Sequence, residues 1–281
     1  MTTELTKAQR EELAEKFNDA IEEYSYKSLK QEPRDHLGAS EIAYPCTRQG
    51  YYKFRWMKFE EYNGRMLRLF KRGHREEERF ISYLEGIGCT FHRFDENGKQ
   101  FRFSSIMGHY GGSCDGIIGT NPWYPELPLL AEFKTHNTGS FGKYLKEGVA
   151  KSKPQHFGQM SQYGVKLGLK YALYFPENKN DDDIQVSIIE LDWNLGNQLE
   201  RKAEEIITAK EPPRRISDNP SYQECTWCTF KGICHNEEIP IKNCRSCRNA
   251  MPTNDATWTC GLHGLIPSEF VPLGCDQWMP I

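Results

Sequence analysis

Two carboxylates and one amine are spaced so that they could do chemistry together. Asp115 follows the glycine pair Gly111 and Gly112, and Glu132, Phe133 and Lys134 close the apolar run PLLA. If that run is a strand, residues two apart share a face. Glu132 and Lys134 then point together, and Phe133 points to the opposite side. Asp115, on the preceding strand of a hairpin, falls within reach of both. Paired carboxylates suit a hard divalent cation such as Mg2+ or Mn2+. An ammonium beside them serves where an anion or a developing hydroxide must be held, and phosphodiester hydrolysis has that need. The competing explanation is an ordinary ion pair between Glu132 and Lys134 at a strand end.

Two helical stretches add candidates. KRGHREEERF sets His74 with Glu77 and Glu78 ahead of the strands, Glu78 lying one turn beyond the histidine. QMSQYG sets Gln159 and Tyr163 one turn apart on one face.

Ten cysteines are present, seven of them from Cys225 onward. The start of the chain is polar and charged, unlike a secretory leader, and no apolar run is long enough to span a bilayer. A cytoplasmic setting is therefore expected. Thiols stay reduced there, so clustering points to metal rather than to disulfides. ECTWCTFKGICHN gives Cys225-x2-Cys228-x5-Cys234, three thiolates in one loop. NCRSCRNAMPTNDATWTCGLHG gives Cys244-x2-Cys247-x12-Cys260-x2-His263, a spacing that suits Zn2+. Cys275 is an alternative fourth ligand. A tail this small would need its metal to fold. Cys89 and Cys114 fit neither group and are expected as packed thiols.

The net charge of −3 excludes a uniformly basic nucleic-acid coat and leaves local patches such as RMLRLFKRGHR. An amphipathic helix is expected over residues 7–25, with Leu13, Phe17 and Ile21 on one face. A second helix is expected to open with Ser40 as its cap, and a third to span residues 63–86. Short strands follow near 89–94, 100–107, 111–119 and 128–135. Beyond them a helical stretch breaks at Pro154, the strands KYALYFP and IQVSIIEL follow, and a last helix ends at EPPRR. Helices before a sheet and a helix between its strands imply an α/β fold: a central mixed sheet flanked by helices.

Asp115 followed by Glu132-x-Lys134 resembles the PD-(D/E)xK nuclease superfamily. The helix RGHREEE ahead of it and Gln159-x3-Tyr163 after it are similar to the RecB-like branch, which includes nucleases of CRISPR adaptation and iron–sulfur exonucleases of viruses and bacteria. The proline of the motif name is replaced by Cys114. The likeness covers residues 38–235 and implies a restriction-endonuclease-like core. It implies that Asp115, Glu132, His74 and the Phe133 carbonyl ligate Mg or Mn, and that Lys134 orients water or stabilises charge. Gln159 and Tyr163 would position DNA or the lysine. Cys46, in YPCTRQGYYKF, with Cys225, Cys228 and Cys234 would hold a 4Fe–4S cluster, with Zn2+ as the competing metal for four thiolates. The implied organisation is a helical segment (1–37), a nuclease domain (38–238) and a zinc-binding tail (239–281). The implied function is a DNA nuclease, an exonuclease on single strands or ends, in recombination, repair or viral DNA processing. A recombination or replication protein is a further expected partner, and no membrane is. The alternatives are a catalytically silent nuclease fold that binds nucleic acid or a partner, a structure-specific endonuclease, and a redox-sensing iron–sulfur protein. Oligomeric state cannot be read from these features.

Overall fold

The structure is a computed structural model, and it describes residues 4–28 and 32–281. The helices are α1 (Lys7–Lys27), α2 (Ala39–Ile42), α3 (Thr47–Phe54), α4 (Gly64–Gly86), α5 (Thr138–Ser152), α6 (Pro154–Leu167), α7 (Trp193–Thr208), α8 (Gln223–Thr226) and α9 (Lys231–His235). The strands are β1 (Leu37–Gly38), β2 (Thr90–His92), β3 (Arg102–Ser105), β4 (Tyr110–Ser113), β5 (Gly116–Thr120), β6 (Leu129–His136), β7 (Tyr171–Asn178), β8 (Asp183–Ile184), β9 (Ser187–Glu190), β10 (Ala250–Pro252), β11 (Trp258–Cys260) and β12 (Gly264–Ile266).

The central sheet runs β2-β5-β6-β7-β8, with β9 also pairing β7. Only β6 and β7 are parallel; the other pairs are antiparallel. A parallel pair needs a crossover, and α5 and α6 supply it. Helix α4 lays Phe80 and Leu84 on one face, against Ala131, Phe133, Leu173 and Phe175. On the other face α5 and α6 bring Phe141, Tyr144, Met160 and Tyr163 onto Leu130, Ala172 and Tyr174. Alternate residues of β6 thus go to opposite cores, as the period of a strand requires. The expected mixed sheet flanked by helices is what forms.

The expected strand over 111–119 is two strands. Strand β4 pairs β3 and β1 in a small separate sheet, and β5 joins the central one. The chain changes sheets at Cys114 and Asp115, so Asp115 lies at the seam rather than within a strand. The single helix expected to open at Ser40 is also two. Gly38 is the cap of α2, with Ser40 inside that helix, and Cys46 is the cap of α3. Pro45 lies between them, because the residue before a proline avoids the helical region. The apolar stripe of α1 forms on a helix, yet Phe17 is 62% exposed and Ile21 52%. Only the C-terminal part of α1 is gripped, where Arg68 of α4 bonds Glu22 and Ser25 at 2.9 Å each.

Residues of the last segment share one hydrophobic cluster with the early helices. Cys247, Ala250, Trp258, Ile266 and Val271 pack with Tyr51, Phe54 and Trp56. Arg55, 1% exposed, donates to the carbonyls of Ala250 at 2.8 Å and Cys247 at 2.9 Å. No helix among the described residues is long and apolar enough to cross a membrane.

Candidate active site and cysteine pockets

Strand β5 pairs with β6 from Gly116 opposite Ala131, and Asp115 lies one step beyond the end of that ladder. There its Oδ2 accepts a hydrogen bond from the Phe133 N–H at 2.7 Å. A strand residue's N–H and C=O leave on the same side, so the Phe133 carbonyl is directed to the edge that Asp115 occupies. Register alone thus gathers Asp115, Glu132, Lys134 and that carbonyl.

Glu132 is completely buried. Its Oε1 is paired with Lys134 Nζ at 2.5 Å, the lysine keeping 27% of its surface exposed, and among the described residues Oε2 has no hydrogen-bond partner. Burial raises the Glu132 carboxyl to about 7; Lys134 opposes the shift, and Asp115 and Glu77 add to it. Burial works against the charge on Lys134, but Glu132 and Asp115 overcome it and hold the ammonium above the ordinary lysine range. Lys134 offsets one negative charge, but three carboxylates crowd this spot, and the buried Oε2 is left without a partner among the described residues, a cost that a further cation would offset. That donor set fits a hard divalent ion.

The helix α4 contribution differs from expectation. Glu77 is the acidic residue that faces the sheet: burial, and next Asp115, raise its carboxyl. Glu78 points outward and pairs with Arg93. His74 is largely exposed and contacts Glu77 Oε1 at 3.1 Å. Among the described residues no hydrogen bond or ion pair joins it to Asp115 or Glu132. Helical spacing could have singled out Glu77, since it lies three and seven residues before the buried Phe80 and Leu84.

Tyr163, 2% exposed, donates to the Ser113 carbonyl at 2.7 Å, two residues before Asp115. The Gln159 side chain lies against that hydroxyl, so the two do share a face. They brace the seam that presents Asp115. A group missed in the sequence lies on the same face as Glu132. Tyr174 pairs with Glu132 in register. Its hydroxyl lies 2.9 Å from His136 Nε2 and 2.8 Å from His156 Nδ1. Burial lowers His136 to about 4 and His156 to about 3, with neighbouring lysines adding to it.

A groove of about 700 Å3 leads to Lys134, Phe133 and Glu77. Trp56, Phe59 and Phe70 line it together with Arg34, Lys58 and Lys179.

Cys46, Cys225, Cys228 and Cys234 line one small pocket. Burial, and next Cys46, raise the Cys225 thiol. His235 lines the same pocket, its buried Nε2 without a hydrogen-bond partner. Cys244, Cys247, Cys260, His263 and Cys275 line another, of about 350 Å3. Among the described residues no three His, Cys, Asp or Glu side chains are already gathered as a metal-holding group; the thiols border their pockets without meeting at one point. Cys89 and Cys114 are packed thiols in the sheet's two cores, and burial raises both, Cys114 to about 12.

No family model matches the sequence, and no curated protein does. Among solved structures the chain is similar to the protein SSO0001, at 15% identity and a TM-score of 0.46, over 80% of this chain and 98% of that one. It is also similar to an alkaline exonuclease, LHK-Exo, from Laribacter hongkongensis, at 20% identity and a TM-score of 0.44, over 66% and 90%. The same exonuclease in complex with dAMP gives 20% identity and 0.45, over 61% and 86%. Likeness at this level assigns no residue roles to the chain.

Proposed function

We propose that the protein is a metal-dependent deoxyribonuclease, an exonuclease acting on single-stranded DNA or DNA ends. The observation that carries this is the fully buried Glu132 carboxylate, paired with Lys134 and crowded by Asp115 and Glu77, where Lys134 and Glu77 reach a groove. Asp115, Glu132 and the Phe133 carbonyl would hold Mg2+ or Mn2+, with Glu77 next to them and His74 at the rim. Bound there, the ion supplies Lewis-acid polarisation of a phosphoryl oxygen and acidifies a water.

The chain's own groups do the rest. Lys134, fixed as a cation by its carboxylate neighbours, draws the phosphodiester in and offsets charge that builds up on it in the transition state. Asp115 is kept in place by the Phe133 N–H and by the Tyr163 brace on Ser113. The groove's exposed rings, Phe59 and Phe70, offer stacking platforms for unpaired bases, and its lysines and Arg34 offer phosphate contacts. The pocket of Cys46, Cys225, Cys228 and Cys234 would take a 4Fe–4S cluster, a donor set of four thiolates that fits it. Those cysteines would then tie α3 to the α8–α9 region.

Digestion of 5′- and 3′-labelled single and double strands with Mg2+ or Mn2+ tests the reading. Metal-dependent release of short products from one end is expected, and none from Glu132→Gln. Unchanged cleavage by that variant, or none by the wild type with either ion, would reject it. Protein purified without oxygen is expected to be brown; colourless protein carrying zinc and no iron would replace the cluster.

A further inference from the structure

We propose that the C-terminal segment binds one zinc-type ion on four thiolates, Cys244, Cys247, Cys260 and Cys275, and that Arg245 couples this site to the wall of the groove. The expected fourth ligand, His263, is thereby replaced by Cys275.

Three pieces of chain bring the thiols to one pocket. The first is a turn in which the Cys247 N–H bonds the Cys244 carbonyl at 3.1 Å. The second is β11, whose last residue, Cys260, pairs with both Ala250 and Gly264. The third is the closing segment, pinned onto the first: the Cys244 N–H bonds the Val271 carbonyl at 2.8 Å. The Met279 N–H also donates to Cys247 Sγ at 3.5 Å. Gly274 has φ +67, and a Cβ there would meet Asn243 Cα at 3.3 Å. A glycine at 274 therefore lets Cys275 come alongside Cys244. His263 belongs to the turn between β11 and β12. Four soft thiolates suit tetrahedral Zn2+. Closing them on an ion takes side-chain rotation, and the thiol protons leave to solvent as the thiolates form.

Arg245 lies between the first two ligands and is 1% exposed. Its guanidinium carbon sits 4.2 Å from the Trp56 ring centroid, 4.7 Å from Trp258 and 4.8 Å from Phe54. Its Nη1 donates to the Asp35 carbonyl at 3.2 Å; among the described residues Nε and Nη2 have no partner. Asn243 adds a bond to the Trp56 carbonyl at 3.0 Å, and Trp56 Nε1 bonds the Arg34 carbonyl at 2.9 Å. Phe54, Trp56 and Arg34 all line the groove. A guanidinium so poorly hydrogen-bonded stays buried only while its aromatic cage is closed. Ordering of the turn around an ion therefore fixes the groove wall. The metal site stands by itself; only the substrate readout rests on the proposed nuclease activity.

The test uses the full chain, metal analysis, and cobalt(II) exchanged for zinc. One zinc is expected to disappear in Cys275→Ser and to remain in His263→Ala, with the cobalt charge-transfer band of four thiolates in both wild type and His263→Ala. Retention in Cys275→Ser with loss in His263→Ala would overturn the ligand set, as would wild type with no zinc attributable to these cysteines. Arg245→Lys is expected to keep the metal, raise KM for single-stranded DNA about tenfold and leave kcat within about twofold. A fall in kcat at constant KM, or no change in either, would overturn the coupling. Tryptophan emission with and without chelator reads the same coupling when cleavage is absent: a shift in wild type, none in Cys275→Ser.

Discussion

At the sheet edge, Asp115, Glu132 and Lys134 come from one short hairpin and are placed by backbone register. In the C-terminal pocket, the thiols come from three separated pieces of chain held by a few turn hydrogen bonds and by two buried arginines. The first region concentrates like charges that oppose folding. The second adds aromatic and arginine packing that supports it. A site poised to bind a cation carries its strain where the surrounding sheet is rigid. A region short of regular structure must get its order from side-chain contacts and, where present, a metal.

The largest expected effect follows from the first half of that contrast. Asp115→Ala, Glu132→Gln and Lys134→Ala should each lower cleavage by about a hundredfold or more, the usual loss for a charge partner of the transition state. Stability should move the other way for Glu132. Its folded carboxyl is raised to about 7, so its stabilising contribution is present below the unfolded value near 4.5 and is lost as pH rises through 7. Without divalent ions, the melting temperature of Glu132→Gln should therefore rise relative to wild type between pH 5 and pH 8, with the loss of Lys134's partner common to both conditions. A difference that stays constant or moves the other way would mean that the two regions do not differ as described.

Arg55 tests the second half. Arg55→Met leaves the Cys247 and Ala250 carbonyls buried without their donors, and such losses cost about 1–3 kcal/mol per group. A loss of roughly 2–6 kcal/mol in urea unfolding is expected, with cleavage by the remaining folded fraction close to normal. Wild-type stability would show that the last segment is not part of the core.

These expectations also mark what the sequence could and could not supply. Glu132 and Lys134 were legible because alternation along a strand is local. The break at Asp115 was not, since Gly111, Gly112 and Cys114 are as compatible with one long strand as with two; the choice is made by β3 and β2, which compete for the two halves. The face of α4 was readable from Phe80 and Leu84, and it selects Glu77 over Glu78. The exposed stripe on α1 and the Ser40 cap failed because local pattern says nothing about what arrives to cover a face, or where a proline divides a helix. Arg55, Arg245 and the His136–Tyr174–His156 group were invisible, because each depends on elements far apart in the chain crossing at one point.

The histidine pair makes a middle-sized test inside the sheet region. Burial lowers both below their ordinary value near 6.5, to about 4 and about 3. A base whose folded pKa is depressed contributes stability that is complete above 6.5 and is lost as pH falls from there toward the folded values, up to about 1.4 kcal/mol per unit and site. Urea midpoints should therefore drop between pH 6.5 and 4. His156→Gln, which keeps a polar partner for Tyr174, should flatten that slope. An unchanged slope would assign the acid sensitivity elsewhere.

The smallest effect separates two neighbouring glutamates. Glu77 is half-buried beside Asp115, with Arg93 at 3.7 Å, and Glu78 is exposed with Arg93 as its closer partner. A carboxylate next to a cation's direct ligands contributes about tenfold or more to its affinity. Glu77→Gln should weaken Mn2+ binding by about that factor, read by calorimetry at pH 8 where Glu132 is ionised. Glu78→Gln should leave it unchanged, because an exposed ion pair contributes little and is screened by salt. Equal losses would place both side chains outside the site, the rise and fall coming from net charge alone. A gain in affinity for Glu77→Gln would mean that its repulsion of Asp115 outweighs its attraction for the ion, and the cation would then belong to Asp115 and Glu132 without help from α4.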